Sequence, residues 1–312
     1  MSLNYSNHFI KRIECPVCTS KKLILLYEKS YEDEKIKTYL DGFYNPQGGI
    51  EHEFLKDISY TLKQCLTCDL IFQESIPNDE LMFKLYEQWI NPTIVFNQQV
   101  NFPLWYTENY ANHIVNIISY FNTVPSKLKF LDFGMGWGRW CLMAKAFGCN
   151  VYGLELSESR ANYAKKNGIN ILDIDDLKVH KFDFINTDQV FEHIPKPLDL
   201  LKELSQYLKP NGVIRVCVPD GNNADKVIQV MDWKAKKGMQ NSLNIVAPLE
   251  HINCYSTRTI IHLAKLCNLK LVNIPLKRHY YKSKRHFVKT LIKKKLNKQA
   301  KSTNLYFIKN EA

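Results

Sequence analysis

Apolar and polar positions alternate along this chain in two rhythms. After residue 126, short apolar runs of strand length recur at Lys129–Gly134, Asn150–Leu156, Ile169–Asp173, Phe182–Asp188 and Val213–Pro219. Segments with apolar residues at helical spacing, such as Trp140 to Phe147 and Leu204 to Leu208, fall between them. Two further runs, Leu269–Leu276 and Asn304–Lys309, follow a helix predicted at Ser256–Cys267. This alternation predicts a parallel sheet covered on both faces, with ligands at the carboxyl ends of its strands. Ahead of residue 126, Asn78-Asp79-Glu80 opens a predicted helix through Trp89 with Leu81, Leu85 and Trp89 on one face. A second helix is predicted from about Trp105 to Phe121, its buried side marked by Ile114, Ile117, Ile118 and Phe121. The segment Leu23 to Lys63 alternates in places, as in Tyr60-Thr61-Leu62-Lys63-Gln64, and contains Asn45-Pro46-Gln47-Gly48-Gly49. It reads as strands and a hairpin.

The first run of the alternating region ends in an acid and three glycines, Phe130-Leu131-Asp132-Phe133-Gly134-Met135-Gly136-Trp137-Gly138. Strand, glycine turn and helix in that order form a nucleotide-binding unit, because glycines let the backbone turn tightly and approach a ligand. The next run ends in Glu155, 23 residues beyond Asp132, where a carboxylate is placed to accept both hydroxyls of a ribose. The spacing is not the G-x-G-x-x-G of dinucleotide folds.

The D-x-G-x-G-x-G form resembles the first motif of class I S-adenosylmethionine-dependent methyltransferases. Phe182-Asp183-Phe184-Ile185 with Val190-Phe191-Glu192-His193-Ile194 is similar to the family's fourth strand and loop. Leu204 to Leu208 with Lys209-Pro210-Asn211-Gly212-Val213-Ile214 is similar to its helix, turn and fifth strand. The resemblance implies an α/β, Rossmann-like seven-stranded sheet whose last strand inserts antiparallel beside the sixth. It implies S-adenosylmethionine as cofactor, with Asp132 fixing the glycine loop and favouring the cofactor's amino group. Gly134, Gly136 and Gly138 would admit the methionine moiety, and Glu155 would hold the ribose. Leu156 would pack on the adenine edge, a residue among Asp173 to Asp176 would add an adenine contact, and Asp188 and Gln189 would line the methionine end.

In-line methyl transfer rests mainly on positioning, and a neutral nucleophile also needs a general base, most often His. His193 follows the fourth strand and competes for that role with His251, in Pro248-Leu249-Glu250-His251. Sugar C-methyltransferases of similar layout keep an essential Glu-His pair at the latter place, with a tyrosine three residues earlier. Here Glu250 and His251 stand there, but the earlier residue is Pro248, which argues against sugar C-methylation and leaves His251 a base for O- or N-transfer. Each histidine also has a structural reading, as a helix-orienting or backbone-bonded ring.

Cys15-Pro16-Val17-Cys18 is answered by Cys65-Leu66-Thr67-Cys68 after 46 intervening residues. Two such knuckles supply four thiolates for one tetrahedral zinc ion. Four cysteines close the site, so the zinc is expected to be structural. The predicted division is a zinc-ribbon-like domain at 1–75, a helical linker at 76–125 and the methyltransferase domain at 126–312. This head resembles the arrangement of sugar and natural-product methyltransferases.

Composition changes the picture little. Hydrophobic residues make 45% and charged residues 23%, as in ordinary globular proteins. Nine cysteines, an odd number, and the lack of a hydrophobic leader or a membrane-length apolar run lead us to expect a cytoplasmic protein. Charge changes it more. The net charge is +11, and Lys277 to Lys301 holds eleven Lys or Arg and no acid, interleaved with aromatics near Tyr280. That run suits an anionic small acceptor such as a nucleotide-linked sugar. It also keeps RNA methylation as an alternative, with a non-catalytic cofactor-binding protein as a third reading.

Overall fold

The computed structural model describes residues 8–99, 103–274, 284–285, 288–289, 292 and 303–310. The basic run from Lys277 to Lys301 lies, but for five positions, outside the described residues.

The alternating region folds into one seven-stranded sheet. Its strands are β1 (Lys129–Phe133), β2 (Asn150–Leu154), β3 (Asn170–Ile171), β4 (Phe182–Asp188), β5 (Leu208–Cys217), β6 (Leu269–Val272) and β7 (Asn304–Lys309). They lie in the order β6-β7-β5-β4-β1-β2-β3. All neighbours are parallel except β7, which runs antiparallel to both β5 and β6. The strand order therefore reverses between β1 and β4, and the carboxyl ends of those two strands open the crevice where such sheets take ligands.

Five of the seven strands depart from their expected bounds, and in two of them a local feature explains the change. β5 begins at Leu208 rather than Val213, because Lys209-Pro210-Asn211-Gly212 is absorbed as a register shift against β4. β3 keeps only two residues, since Asp173 leaves the sheet to exchange hydrogen bonds with Asp176, amide to carboxylate in each direction.

The described chain divides into two compact units. One comprises Met1–Asn101, Phe191–Leu198 and Pro219–Thr259, the other Phe102–Val190, Asp199–Val218 and Ile260–Ala312. The second unit holds the seven-stranded sheet. The helix Leu104–Phe121 buries Ile114 and Ile117 in a core with Phe130, Trp140 and Phe184.

In the first unit a four-stranded antiparallel sheet runs in the order Asn253–Cys254, Ile71–Gln73, Ser59–Cys65, Leu23–Ser30. The strands expected within Leu23 to Lys63 form and pair antiparallel, Leu23–Ser30 with Ser59–Cys65, but an α-helix, Glu34–Tyr44, stands between them in place of a hairpin turn. Asp33 caps it by accepting from the Lys35 amide, and Ile36, Leu40 and Tyr44 stack at four-residue intervals into the core. Those polar-apolar steps fit either period when read linearly, and the cap with the buried stripe decides for the helix. The helix expected from Asn78 to Trp89 also forms in two pieces. Asn78 caps Asp79–Lys84 through the Leu81 amide, and Leu85–Trp89 continues as a π-turn.

Among the described residues no helix is long and apolar enough to cross a membrane.

Candidate active site

The glycine loop leaves β1 in left-handed backbone, with φ of +71° at Gly134, +55° at Gly136 and +68° at Gly138. Only glycine adopts that region without strain. Gly134 has a second constraint, because a Cβ there would lie 2.7 Å from Val190 Cγ2. The amides of Gly134 and Met135 donate to the Leu154 carbonyl at 2.9 and 3.1 Å, tying the loop to β2. The Gly136 amide donates to Glu155 Oε2 at 2.8 Å, and the Ser157 amide to Glu155 Oε1 at 3.0 Å. These bonds orient the Glu155 carboxylate while leaving lone pairs on both oxygens. The loop is thus held by Leu154 and Glu155, not by Asp132 as the resemblance implied. Gly153, which drew no notice in the sequence, makes room for the Met135 sulfur against β2.

Beyond Glu155 a groove of about 620 Å³ is lined by Leu156, Lys165, Ile171, Asp173 and Ile174, among others. Leu156 is 86% exposed. It is a large apolar side chain offered to whatever enters the groove.

Asp132 is buried at the carboxyl end of β1 and accepts from Asn186 Nδ2 at 2.7 Å. Asn186 in turn accepts from Arg215 Nη1 at 2.8 Å, and the same nitrogen pairs with Asp188 at 3.2 Å. Burial pushes the Asp132 carboxyl up to about 7, with Asp188 adding to the rise and Asn186 opposing it. Arg215 is also buried, which disfavours its charge, but Asp188 and its other neighbours outweigh this and keep the guanidinium above its ordinary range. Neither Asn186 nor Arg215 was singled out in the sequence, since each looks like an ordinary polar residue of a strand. Gln189 follows Asp188 at a positive φ of 57°, its amide donating to the Cys217 carbonyl at 2.8 Å. A non-glycine residue in that region is uncommon and marks a site of local strain.

The two candidate histidines belong to the first unit and stand together, with ring centroids 4.9 Å apart. His193 Nδ1 lies 2.8 Å from both the Tyr86 hydroxyl and the Glu250 carbonyl. Glu250 therefore meets His193 through its backbone. The carboxylate grouped with the two rings is Glu192, 1% exposed, with Oε1 3.9 Å from His193 Nε2. Burial lowers His193 to about 4, against the opposing bond to Glu250. Burial and then the neighbouring His193 lower His251 to about 3, opposed by the Asn244 backbone. Both rings are neutral near pH 7 and present lone pairs, yet each is a weak proton acceptor beside an ideal base titrating near working pH.

The strands around these loops hold them in place. Gln73 donates to the carbonyls of Ala247 and His251 at 3.0 and 3.1 Å and accepts from the Leu249 amide at 3.3 Å. Leu249 itself is left-handed, at φ +71°. Asn253 donates to the carbonyls of Phe191 and Ile194, and its own oxygen accepts from the buried Arg12. Arg12 also donates to the Gln73 and Ile252 carbonyls, and burial lowers its guanidinium to about 9. Tyr86 is carried by the π-turn. Only the fold brings these four residues to the histidines, and no motif announces them.

The four cysteine sulfurs lie within 4.8 Å of one another, with Cys15–Cys68 at 3.5 Å and Cys18–Cys65 at 3.4 Å. Sulfurs about 2.3 Å from a tetrahedral zinc stand roughly 3.8 Å apart, so the set fits that ion. The knuckles repeat one geometry. Thr19 and Asp69 each donate their amide to the cysteine four residues earlier, and both have positive φ.

Residues 106–274 match the methyltransferase-domain family, and the chain belongs to it. It therefore carries a class I S-adenosylmethionine-dependent methyltransferase domain, with the cysteine cluster on its N-terminal side. A 109-residue stretch is 34% identical to the ubiquinone biosynthesis O-methyltransferase of Rickettsia canadensis (strain McKiel), covering 32% of this chain and 46% of that protein. The protein of the same name from Rickettsia akari (strain Hartford) is 30% identical over 109 residues, covering 32% and 43%. The chain spans about half the length of the curated relatives it matches. Among solved structures, the plantazolicin methyltransferase BpumL in complex with a monoazolic desmethylPZN analog and SAH superposes with a TM-score of 0.50. It is 17% identical, over 74% of this chain and 94% of that one, a likeness of fold alone.

Proposed function

We propose that this protein transfers a methyl group from S-adenosylmethionine to an oxygen of a small polar acceptor of the carbohydrate or nucleotide-sugar kind. The observation that carries the reading is the Glu155 carboxylate, fixed by the Gly136 and Ser157 amides at the carboxyl end of β2 with lone pairs to spare. Bound there, S-adenosylmethionine would supply an electrophilic methyl group on a sulfonium. The chain's part is to bind and orient. Glu155 accepts the ribose hydroxyls, Leu156 covers the adenine edge, and the Asp173–Asp176 turn borders the same groove. Asp132, Asp188 and Gln189 take the methionine end, where a cationic amino group would favour the ionised form of the Asp132 carboxyl.

Oxygen as the acceptor atom is supported by the names of the curated relatives and by Pro248, which stands where C-methylating enzymes keep a tyrosine. Removal of the acceptor's proton falls to the loops that carry His251, His193 and Glu250. In the same reading Cys15, Cys18, Cys65 and Cys68 hold a structural zinc, since a closed four-thiolate set leaves no position for substrate.

Calorimetry with S-adenosylmethionine tests the cofactor assignment. Binding to the parent chain is expected, and Glu155→Ala should weaken it by about 1.5–3 kcal/mol through loss of charge-assisted hydrogen bonds. No binding to the parent would overturn the proposed function, and equal affinities would remove Glu155 from the ribose.

A further inference from the structure

Glu192, His193 and His251 each bring a ligand atom within 4.8 Å of the other two. The three belong to the unit that also holds the four cysteines, but they form a separate cluster of a different chemical kind. Their hydrogen bonds settle which atoms face inward. The Glu250 carbonyl, 2.8 Å from His193 Nδ1, can only accept, so Nδ1 must carry the proton. The Tyr86 hydroxyl at the same distance then also accepts from it. The lone pair of His193 is thereby left on Nε2, the nitrogen that faces Glu192 Oε1 at 3.9 Å. Across from it His251 Nδ1 is buried with no hydrogen bond among the described residues.

Nitrogen lone pairs and a carboxylate brought this close repel one another unless a proton or a metal cation stands among them. The supporting bonds match those that orient metal-binding histidines, whose second ring nitrogen commonly donates to a backbone carbonyl. Gln73 pins the His251 carbonyl, and Asn253 pins the carbonyls on either side of Glu192 and His193. Ligands held this way lose little freedom on binding an ion.

We propose that Glu192, His193 and His251 bind one divalent transition-metal cation. Two imidazole nitrogens and one carboxylate suit zinc, iron(II), manganese or cobalt, whereas calcium and magnesium prefer all-oxygen sets. Three protein ligands leave coordination positions open, unlike the closed four-cysteine set. A hydroxyl coordinated at an open position would lose its proton more readily. In that purpose the inference rests on the proposed methyl transfer to oxygen, but the existence of the site does not.

The test uses the full chain, stripped of metal by a chelator and titrated with Co²⁺ alone. Two cobalt ions per chain are expected. One should show intense near-ultraviolet thiolate-to-cobalt bands, the other only weak visible bands typical of nitrogen and oxygen ligands. Cys15→Ser with Cys65→Ser should abolish the first signal and keep the second. Glu192→Gln and His251→Gln should each weaken the second ion at least tenfold and keep the thiolate bands, which also report that the unit remains folded. A single cobalt ion in the unmutated chain, with thiolate bands alone, would overturn the proposal. So would two ions undisturbed by either substitution. Because the titration contains no S-adenosylmethionine, its result is independent of the cofactor calorimetry.

Discussion

Asp132 sits where β1 delivers it, enclosed by the sheet, with Asn186 donating to one oxygen and the Cys141 thiol 3.7 Å from the other. Its carboxyl is raised from 3.8 to about 7, chiefly by burial. The folded protein therefore holds a proton at pH values where the unfolded chain has released it. Linkage makes this contribution to stability fully present below about pH 4 and lost as pH rises through about 7. Asp132→Asn keeps the shape and removes the titration, so its stability should vary less than the parent's between pH 4 and 7. Urea midpoints at pH 5 and pH 8 measure this, and parallel changes in both proteins would count against a raised Asp132. Glu155 differs from the surroundings of Asp132 in what encodes it. Its place after a strand was legible from spacing, whereas the Asn186–Arg215 chain beside Asp132 depends on which strands become neighbours.

At the scale of elements, the strand Ile71–Gln73 links the cysteine knuckles to the histidine loop. It begins three residues after Cys68 and pairs with Asn253–Cys254, two residues after His251. Its last residue, Gln73, satisfies three backbone groups of the loop at 247–251. Gln73→Ala would take the side-chain partner from the His251 carbonyl and the Leu249 amide, while the Ala247 carbonyl keeps the His251 amide, and each group left without a partner costs about 1–3 kcal/mol. A loss of at least about 2 kcal/mol of stability is expected in denaturant titration. A loss below about 0.5 kcal/mol would show that the loop holds its shape without Gln73. No pattern in the sequence predicts this strand, and while one partner, Ser59–Cys65, is close along the chain, the other lies some 180 residues away. The helix Glu34–Tyr44 makes the complementary point. Its cap and its four-residue stripe were both present in the sequence, and the neighbouring strand-like alternation masked them.

At the scale of the whole molecule, the chain leaves its second unit twice, at Phe191–Leu198 and Pro219–Thr259, to complete the first. These two excursions carry every candidate catalytic residue, while the cofactor residues stay in the second unit. The first unit also holds the four cysteines, so on the proposed zinc site its order should depend on the metal. With the proposed zinc at the four cysteines, a chelator should lower the melting temperature by several degrees, with recovery on adding zinc back, and Cys15→Ser with Cys65→Ser should resemble the chelated protein. An unchanged melting curve in chelator, with metal loss verified by elemental analysis, would remove the cysteines from the stability of this unit.

What the sequence determined by itself were the local features: the seven strands, the glycine turn, the carboxylate at Glu155 and the two cysteine knuckles. Each is a pattern of neighbours along the chain, set by backbone conformation and by the short reach of a turn. Tertiary structure alone decided that Glu192 and not the Glu250 carboxylate stands with the histidines, that Arg12, Gln73, Tyr86 and Asn253 hold them, and that Arg215 completes the polar chain at β1. Those pairings join residues far apart in sequence, through buried hydrogen bonds whose partners are chosen by strand order and by the burial of apolar faces. No spacing along the chain encodes them, because the energy that selects them appears only when water is excluded and each buried polar group must find a partner.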